Sequence, residues 1–283
     1  METLTSAIFE YKFISNALWA GLFAAITCGV IGTYIVANRI VFLSGGITHS
    51  SFGGIGIGYF LNINPIIGAA VFSVLSGLGI ELFSTRAKVR HDSVIGIWWS
   101  FGMAIGIIFV YLTPGYAPNL MTYLFGSILS VSGNDIVFMA IMTIIIVLIF
   151  IFFYRLILYI SFDEEYAKTQ GLKVGLMKNV LISLVALAIV INIKVVGIIL
   201  LLSLLTIPQA IANFFTNKFD RIIYYSIGIN LIGIFVGLVL SYNLDIPSGA
   251  SIIFALILFF GIAWIIKFVS AKKIYLNKSY RTK

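Results

Sequence analysis

Charge is scarce in this chain: Asp, Glu, Lys and Arg make up 10% of its 283 residues, against about 25% in an ordinary soluble domain. That shortage excludes water as the solvent for most of the sequence. Cysteine is scarcer still. The single Cys28 cannot form an intrachain disulfide and, set inside the first apolar stretch, reads as a packing residue. No glycine-rich loop ends in Gly-Lys-Ser or Gly-Lys-Thr, which excludes nucleotide hydrolysis by this chain itself. Paired acidic motifs that would hold magnesium are missing. No carboxylate stands in the middle of an apolar stretch, as a proton-coupled carrier requires. The leading segment also lacks a basic cluster, carrying Glu2, Glu10 and Lys12, and no small-residue cleavage site follows. The first stretch is therefore expected to be a retained helix and not a signal peptide.

What the chain has is apolar length. Hydrophobic residues account for 61% of it, and a spanning helix needs about 20 of them at 1.5 Å rise each. Stretches at 16–37, 41–61, 65–83, 93–112, 135–154, 178–192, 195–213, 222–241 and 249–268 predict an all-α integral membrane protein with about nine transmembrane helices. One domain over 1–283 is expected, with spanning helices over about 16–268 and a basic tail at 269–283. A net charge of +8 would suggest nucleic acid in a soluble protein. In a membrane protein it reports which connections face the cytoplasm, so no nucleic-acid partner is expected. With the N-terminus outside, every cation except Lys12 and Lys194 falls on the inner side: Arg39, Arg86, Lys88, Arg90, Arg155, Lys168, Lys173, Lys178, Lys218, Arg221 and the tail from Lys267. An incorrect helix count would scramble that asymmetry, and it puts the C-terminus in the cytoplasm.

Two segments depart from the simple pattern. Leu120–Val131 is apolar but short and follows Thr113-Pro114-Gly115-Tyr116, which predicts a re-entrant or interfacial helix on the outer side. The 178–192 stretch is joined to the next by Ile193 and Lys194 alone, so a hairpin or a helix broken near Asn192 is expected. Glycines at i, i+4, namely Gly54 with Gly58, Gly102 with Gly106 and Gly233 with Gly237, predict close helix packing in lipid.

Few residues offer chemistry. Glu81 beside Arg86, Asp135 and Asp245 fall at helix ends within reach of water and read as interfacial. His49 is different. Ten residues from Arg39 place it about 15 Å deep, near the middle of a core roughly 30 Å thick. The run Ser44-Gly45-Gly46-Ile47-Thr48-His49-Ser50-Ser51 is the most polar passage in any predicted helix. Two readings stay open on position alone: a neutral histidine bonded to a neighbouring helix, or an imidazole facing a polar conduit where it meets a metal ion. The inner loop from Ser161 to Val174 opens with a cap-like Ser161 three residues before Glu164 and stops at Gly171. It predicts a short exposed helix, either a solvated loop or a docking site for a cytosolic partner.

That loop, with Ser161, Phe162, Asp163, Glu164, Ala167 and Gly171-Leu172-Lys173, resembles a segment of the membrane subunits of bacterial ABC importers for zinc and manganese. Asp92-Ser93 with Ile95-Gly96, Leu124-Phe125-Gly126-Ser127-Ile128-Leu129 with Asp135, Val196-Gly197-Ile198-Ile199-Leu200 leading to Ile207-Pro208, and Thr48-His49 with Gly54 follow in the family's order. The resemblance implies a type II importer permease in the bacterial inner membrane, surrounded by lipid. It further implies a permease dimer around one path, two cytosolic ATPases docked on the inner loops, and an outer metal-binding protein. ATP on the partner subunit would drive alternating access, with the Asp163–Gly171 loop as the coupling element. No permanently bound cofactor is implied, only a transported divalent metal ion. Ser44, Gly45, Thr48 and His49 would line the path, with His49 touching the ion and the hydroxyls of Thr48 or Ser44 completing its shell with water. Where the family commonly has an aspartate four residues before the histidine, this chain has Gly45, which tilts the metal toward zinc over manganese. Rival readings are a permease for an iron chelate or cobalamin, which usually has a longer chain, an ion-driven carrier or channel, and a membrane enzyme, for which no catalytic pair is present.

Overall fold

The computed structural model describes residues 12–86, 89–114, 126 and 128–281, with the backbone alone for 129 and 271–281. Among these residues there is no strand. The helices are α1 (Lys12–Ala37), α2 (Val41–Phe60), α3 (Pro65–Arg86), α4 (His91–Leu112), a 3-10 turn at Ile128–Ser130, α5 (Gly133–Phe152), α6 (Tyr154–Phe162), α7 (Glu164–Thr169), α8 (Val174–Leu204), α9 (Ile207–Phe215), α10 (Phe219–Leu244) and α11 (Ser248–Arg281). Most of the expected helix at Leu120–Val131 lies outside the described residues, as do Lys88 and the Leu124-Phe125 and Ser127 parts of the motif. The expected tail continues α11 as helix to Arg281.

Among the described residues, seven segments are long and apolar enough to cross a membrane: α1, α3, α4, α5, the joined Val174–Phe215 stretch, α10 and Ser248–Ser270 of α11. Helix α2 has the length, 20 residues, but its serines, glycines and histidine dilute its apolarity. Helices α1 and α8 are apolar almost all round and are buried along most of their length, as a helix without a polar face must be. The peripheral helices α3, α4, α5 and α11 turn large apolar side chains outward, such as Ile67, Ile97, Ile144 and Phe254.

The expected pair of helices at 178–192 and 195–213 takes a different form. Helical geometry continues past Asn192, whose side-chain amide donates to the Ala188 carbonyl at 2.8 Å, and breaks at Gly197 (φ 76°, ψ 167°). A Cβ built on Gly77 would lie 2.8 Å from Ile182 and 3.1 Å from Ile47, and one built on Gly45 would lie 4.0 Å from Leu202. Gly45 and Ile47 are near neighbours on α2, so Ile182 and Leu202 sit at almost one depth, although twenty residues of straight helix would separate them by about 30 Å. The chain doubles back between them. Glycine alone accepts such a backbone without strain, and Gly126, also at positive φ (64°), packs so closely on the Val196–Gly197 backbone that a Cβ there would clash.

A second break separates α8 from α9. Pro208 has no N–H to offer the Leu204 carbonyl, which stands four residues before it, and in lipid an orphaned carbonyl is costly. Two buried amides supply the missing donors: Gln209 Nε2 lies 3.3 Å from Leu204 O and 2.8 Å from Cys28 O, and Asn230 Nδ2 lies 3.3 Å from Leu204 O. These bonds lock α1, α9 and α10 together.

Helices α2, α3 and α4 form the tightest unit. A Cβ on Gly54 would collide with the Gly68 backbone of α3, one on Gly102 of α4 with Ser50, and one on Gly106 with Phe52, all at 2.7 Å or less. The glycine pairs thus serve packing within the chain, with dispersion replacing the hydrophobic effect as the associating force.

Candidate translocation site

The site is built on α2. Val41 to His49 spans eight residues, about 12 Å along the axis, which puts the imidazole near the helix midpoint. Of the four residues expected along a path, Ser44, Gly45 and Thr48 are buried within the chain and His49 alone reaches its surface, partly exposed. The hydroxyl of Thr48 donates to the Ser44 carbonyl at 2.6 Å and that of Ser44 to Val41 at 2.7 Å. Their protons therefore serve the helix's own backbone. The His49 ring stacks on Trp99 of α4, with centroids 4.0 Å apart and planes 9° from parallel. Its Nδ1 is buried without a protein partner, so the ring is stacked by its face while that nitrogen makes no hydrogen bond within the chain. Among the described residues, no group of three His, Cys, Asp or Glu side chains converges to hold a metal.

Gly45 stands beside this stack. A Cβ there would meet Trp99 at 3.8 Å and Leu202 at 4.0 Å, ordinary van der Waals distances. The position has room for a Cβ, so nothing in the backbone packing demands glycine there.

At the basic end, the expected short helix is present as α7, with a correction to its start. Ser161 remains inside α6, and its Oγ accepts from Asn38 Nδ2 at 3.0 Å. The cap is Asp163, whose carboxylate accepts from Tyr166 N at 2.8 Å. The reason is backbone geometry: Asp163 (φ −149°, ψ 83°) is the residue that leaves the helix, and an N-cap must be non-helical. Ala167 is fully buried against Ile160 and Val174, which seats α7 on the body, and Gly171 (φ 73°) ends it. Phe162 is exposed but makes an edge contact with Phe219. Glu164 accepts from Lys168 at 2.9 Å and Lys178 at 3.1 Å. The Lys168 contact, aided by Lys178, holds its carboxyl below the usual carboxylate range.

Glu81, expected beside Arg86, instead approaches Lys178 at 3.7 Å and His91 at 4.0 Å. With Asn38, Arg39 and Glu164, these residues line a cavity of about 790 Å³. At the opposite end Asp135 caps α5 in a box with Ser132 and pairs with Lys194 at 2.5 Å. Sequence reasoning missed Trp99 and the roles of Glu81 and Lys178, since each depends on a partner from a distant helix. The only available signals were the glycines that set the α2–α4 crossing.

The ABC 3 transport family matches this sequence over residues 10–267. A protein of Chlamydia pneumoniae described as a probable metal transport system membrane protein is 37% identical over 258 residues, covering 89% of this chain and 88% of its own. A manganese transport system membrane protein of Listeria monocytogenes is 31% identical, covering 91% and 92%. Among solved structures, PsaBC from Streptococcus pneumoniae in complex with Fab superposes with a TM-score of 0.83 at 28% identity, covering 92% of this chain and 94% of that one.

Proposed function

This chain belongs to the ABC 3 transport family, and from that premise we propose that it is the permease subunit through which a divalent transition-metal ion enters the cytoplasm, driven by ATP hydrolysis on separate subunits. It is a multi-pass protein of the bacterial cell membrane. One observation carries the reading of the path: α2 has no Asp, Glu, Lys, Arg or second His, and its one imidazole, near the helix midpoint, is partly exposed at the chain surface, while its Nδ1 is buried with no protein partner. An ionisable group midway along a spanning helix marks a pathway. Two copies facing each other across His49 would enclose a conduit in which each imidazole meets the ion briefly, with water as the other ligands. Weak binding suits conduction, since a site that holds too tightly does not release.

Counting α2 and both limbs of the Val174–Phe215 stretch with the other six segments gives nine crossings. The basic end is then cytosolic under the positive-inside bias, with the N-terminus outside, and the α6–α7 loop faces an ATPase dimer. An outer binding protein would deliver the metal. The proposed machine is a type II importer working by alternating access. An imidazole without its carboxylate favours zinc. The likeness to the manganese transport system membrane protein of Listeria monocytogenes supports manganese as the second reading.

The test is the zinc, manganese and iron content of metal-starved cells lacking the gene, after return of the wild-type chain or His49→Ala at equal membrane abundance. Wild type restores one metal and His49→Ala does not. No change in any of the three metals on deletion or rescue, with redundant importers removed, overturns the importer reading.

A further inference from the structure

We propose that Lys178 is a positioning residue that ties α7 to the rigid α2–α3–α4 unit carrying His49, so that motion imposed on the loop moves the path. The inference rests on the permease reading above. Lys178, in the first turns of α8, places its ammonium 3.1 Å from Glu164 Oε2 of α7 and 3.7 Å from Glu81 Oε1 of α3. The other Glu81 oxygen lies 4.0 Å from Nε2 of His91, the first residue of α4. One cation therefore bridges two carboxylates that would otherwise repel, and it joins three elements at the wall of the basic-end cavity. The Glu81 side chain is only 21% exposed, and a partly enclosed pair is less screened than a surface one.

The far side of the tie is stiff. Helices α2, α3 and α4 touch backbone to backbone at Gly54–Gly68, Gly102–Ser50 and Gly106–Phe52, so they move as one body. Glu81 and His91 are its handle at the basic end. Trp99, eight residues or about 12 Å along α4 from His91, stacks on His49. On the near side, α7 is a single short helix seated by Ala167 and capped by Asp163, so an ion pair at its first residue is a direct hold on it.

The experiment uses the permease purified with its ATPase and reconstituted in proteoliposomes enclosing a zinc-sensing dye, with the metal-binding protein outside. Zinc influx and ATP hydrolysis are read together. With Lys178→Met, zinc carried per ATP falls about fivefold or more, the size of an ordinary coupling between sites, while Lys178→Arg keeps the wild-type ratio. Glu81→Gln lowers the ratio as well and carries the test if Lys178→Met does not assemble. A zinc-to-ATP ratio equal to wild type in Lys178→Met or its substitute, whatever the absolute rates, overturns the inference. Absence of ATP-driven influx of zinc, or of manganese read with a corresponding dye, with the wild-type chain overturns the permease reading and this inference with it.

Discussion

Two polar sites lie inside the apolar body of this protein, and they end differently. At the α8–α9 break, Gln209 and Asn230 are wholly buried, and their amide groups donate to carbonyls of Leu204, Cys28 and Ala25. At the middle of α2, His49 is partly exposed, is stacked on the face of Trp99, and has its buried Nδ1 without a partner. The first site exists because Pro208 withholds a donor from Leu204, so its polarity answers a need created by the backbone. No backbone group needs the second. A missing partner alone does not mark cargo, since Gln209 Oε1, Asn230 Oδ1 and the Ser73, Ser76 and Ser226 hydroxyls are also unpartnered; His49 differs in being ionisable and in reaching the chain surface.

The sharpest way to break that contrast is to disturb packing alone. Gly54→Val drives a branched side chain into the Gly68 backbone, and overpacking of this kind costs about 3 kcal/mol. The folded permease should all but vanish from detergent extracts measured by fluorescence size-exclusion chromatography. Gln209→Leu removes the bond to Cys28 O and one of the two amide donors to Leu204 O, leaving Asn230 as the other, at about 1 kcal/mol. The expected result is a lower Tm with unchanged metal preference, whereas His49→Ala should abolish uptake with a Tm loss no larger than the lost Trp99 stack, about 1 kcal/mol, accounts for. If Gln209→Leu abolished uptake at full stability, the division between the two sites would fail.

Smaller effects sharpen the His49 side. Trp99→Leu removes a stacked ring worth about 1 kcal/mol and should raise the metal concentration for half-maximal uptake several-fold, with Trp99→Phe near wild type. Gly45→Asp, for which there is room at the Cβ, should shift uptake competition toward manganese, because a carboxylate favours the harder ion. The smallest effect concerns Glu164. Its carboxyl, held down by Lys168 and Lys178, contributes stability that is full above its unfolded value near 4.5 and is lost as pH falls through the lower folded value. Melting of the detergent-solubilised protein should carry no Glu164 contribution to its pH dependence between about pH 7 and pH 5. Below that, the drop should be shallower in Glu164→Gln.

Much of this was legible from local pattern. The place of His49 near the middle of α2 and the helical register of the glycines follow from counting residues at 1.5 Å each, and the short helix after residue 161 from its cap and glycine signals. The positions of the breaks were less so. The reversal falls at Gly197 and not at Asn192–Lys194, because the backbone of the break (φ 76°, ψ 167°) is one that glycine alone adopts without strain. Two overlapping cap patterns, Ser161 with Glu164 and Asp163 with Tyr166, differ only in which residue leaves the helix. Trp99 against His49 and Lys178 between Glu81 and Glu164 were out of reach, since such contacts depend on how helices cross, which a single sequence does not encode in any spacing.

The most direct test of the central claim, that the His49 face of α2 lines the path, is cysteine accessibility. The buried Cys28 is replaced by alanine, and His49→Cys and Thr48→Cys are compared in membranes with a small water-soluble thiol reagent, with and without zinc. The account predicts that His49→Cys reacts and is protected by zinc while Thr48→Cys stays unmodified. Equal reaction at both positions, or none at His49→Cys, would contradict it.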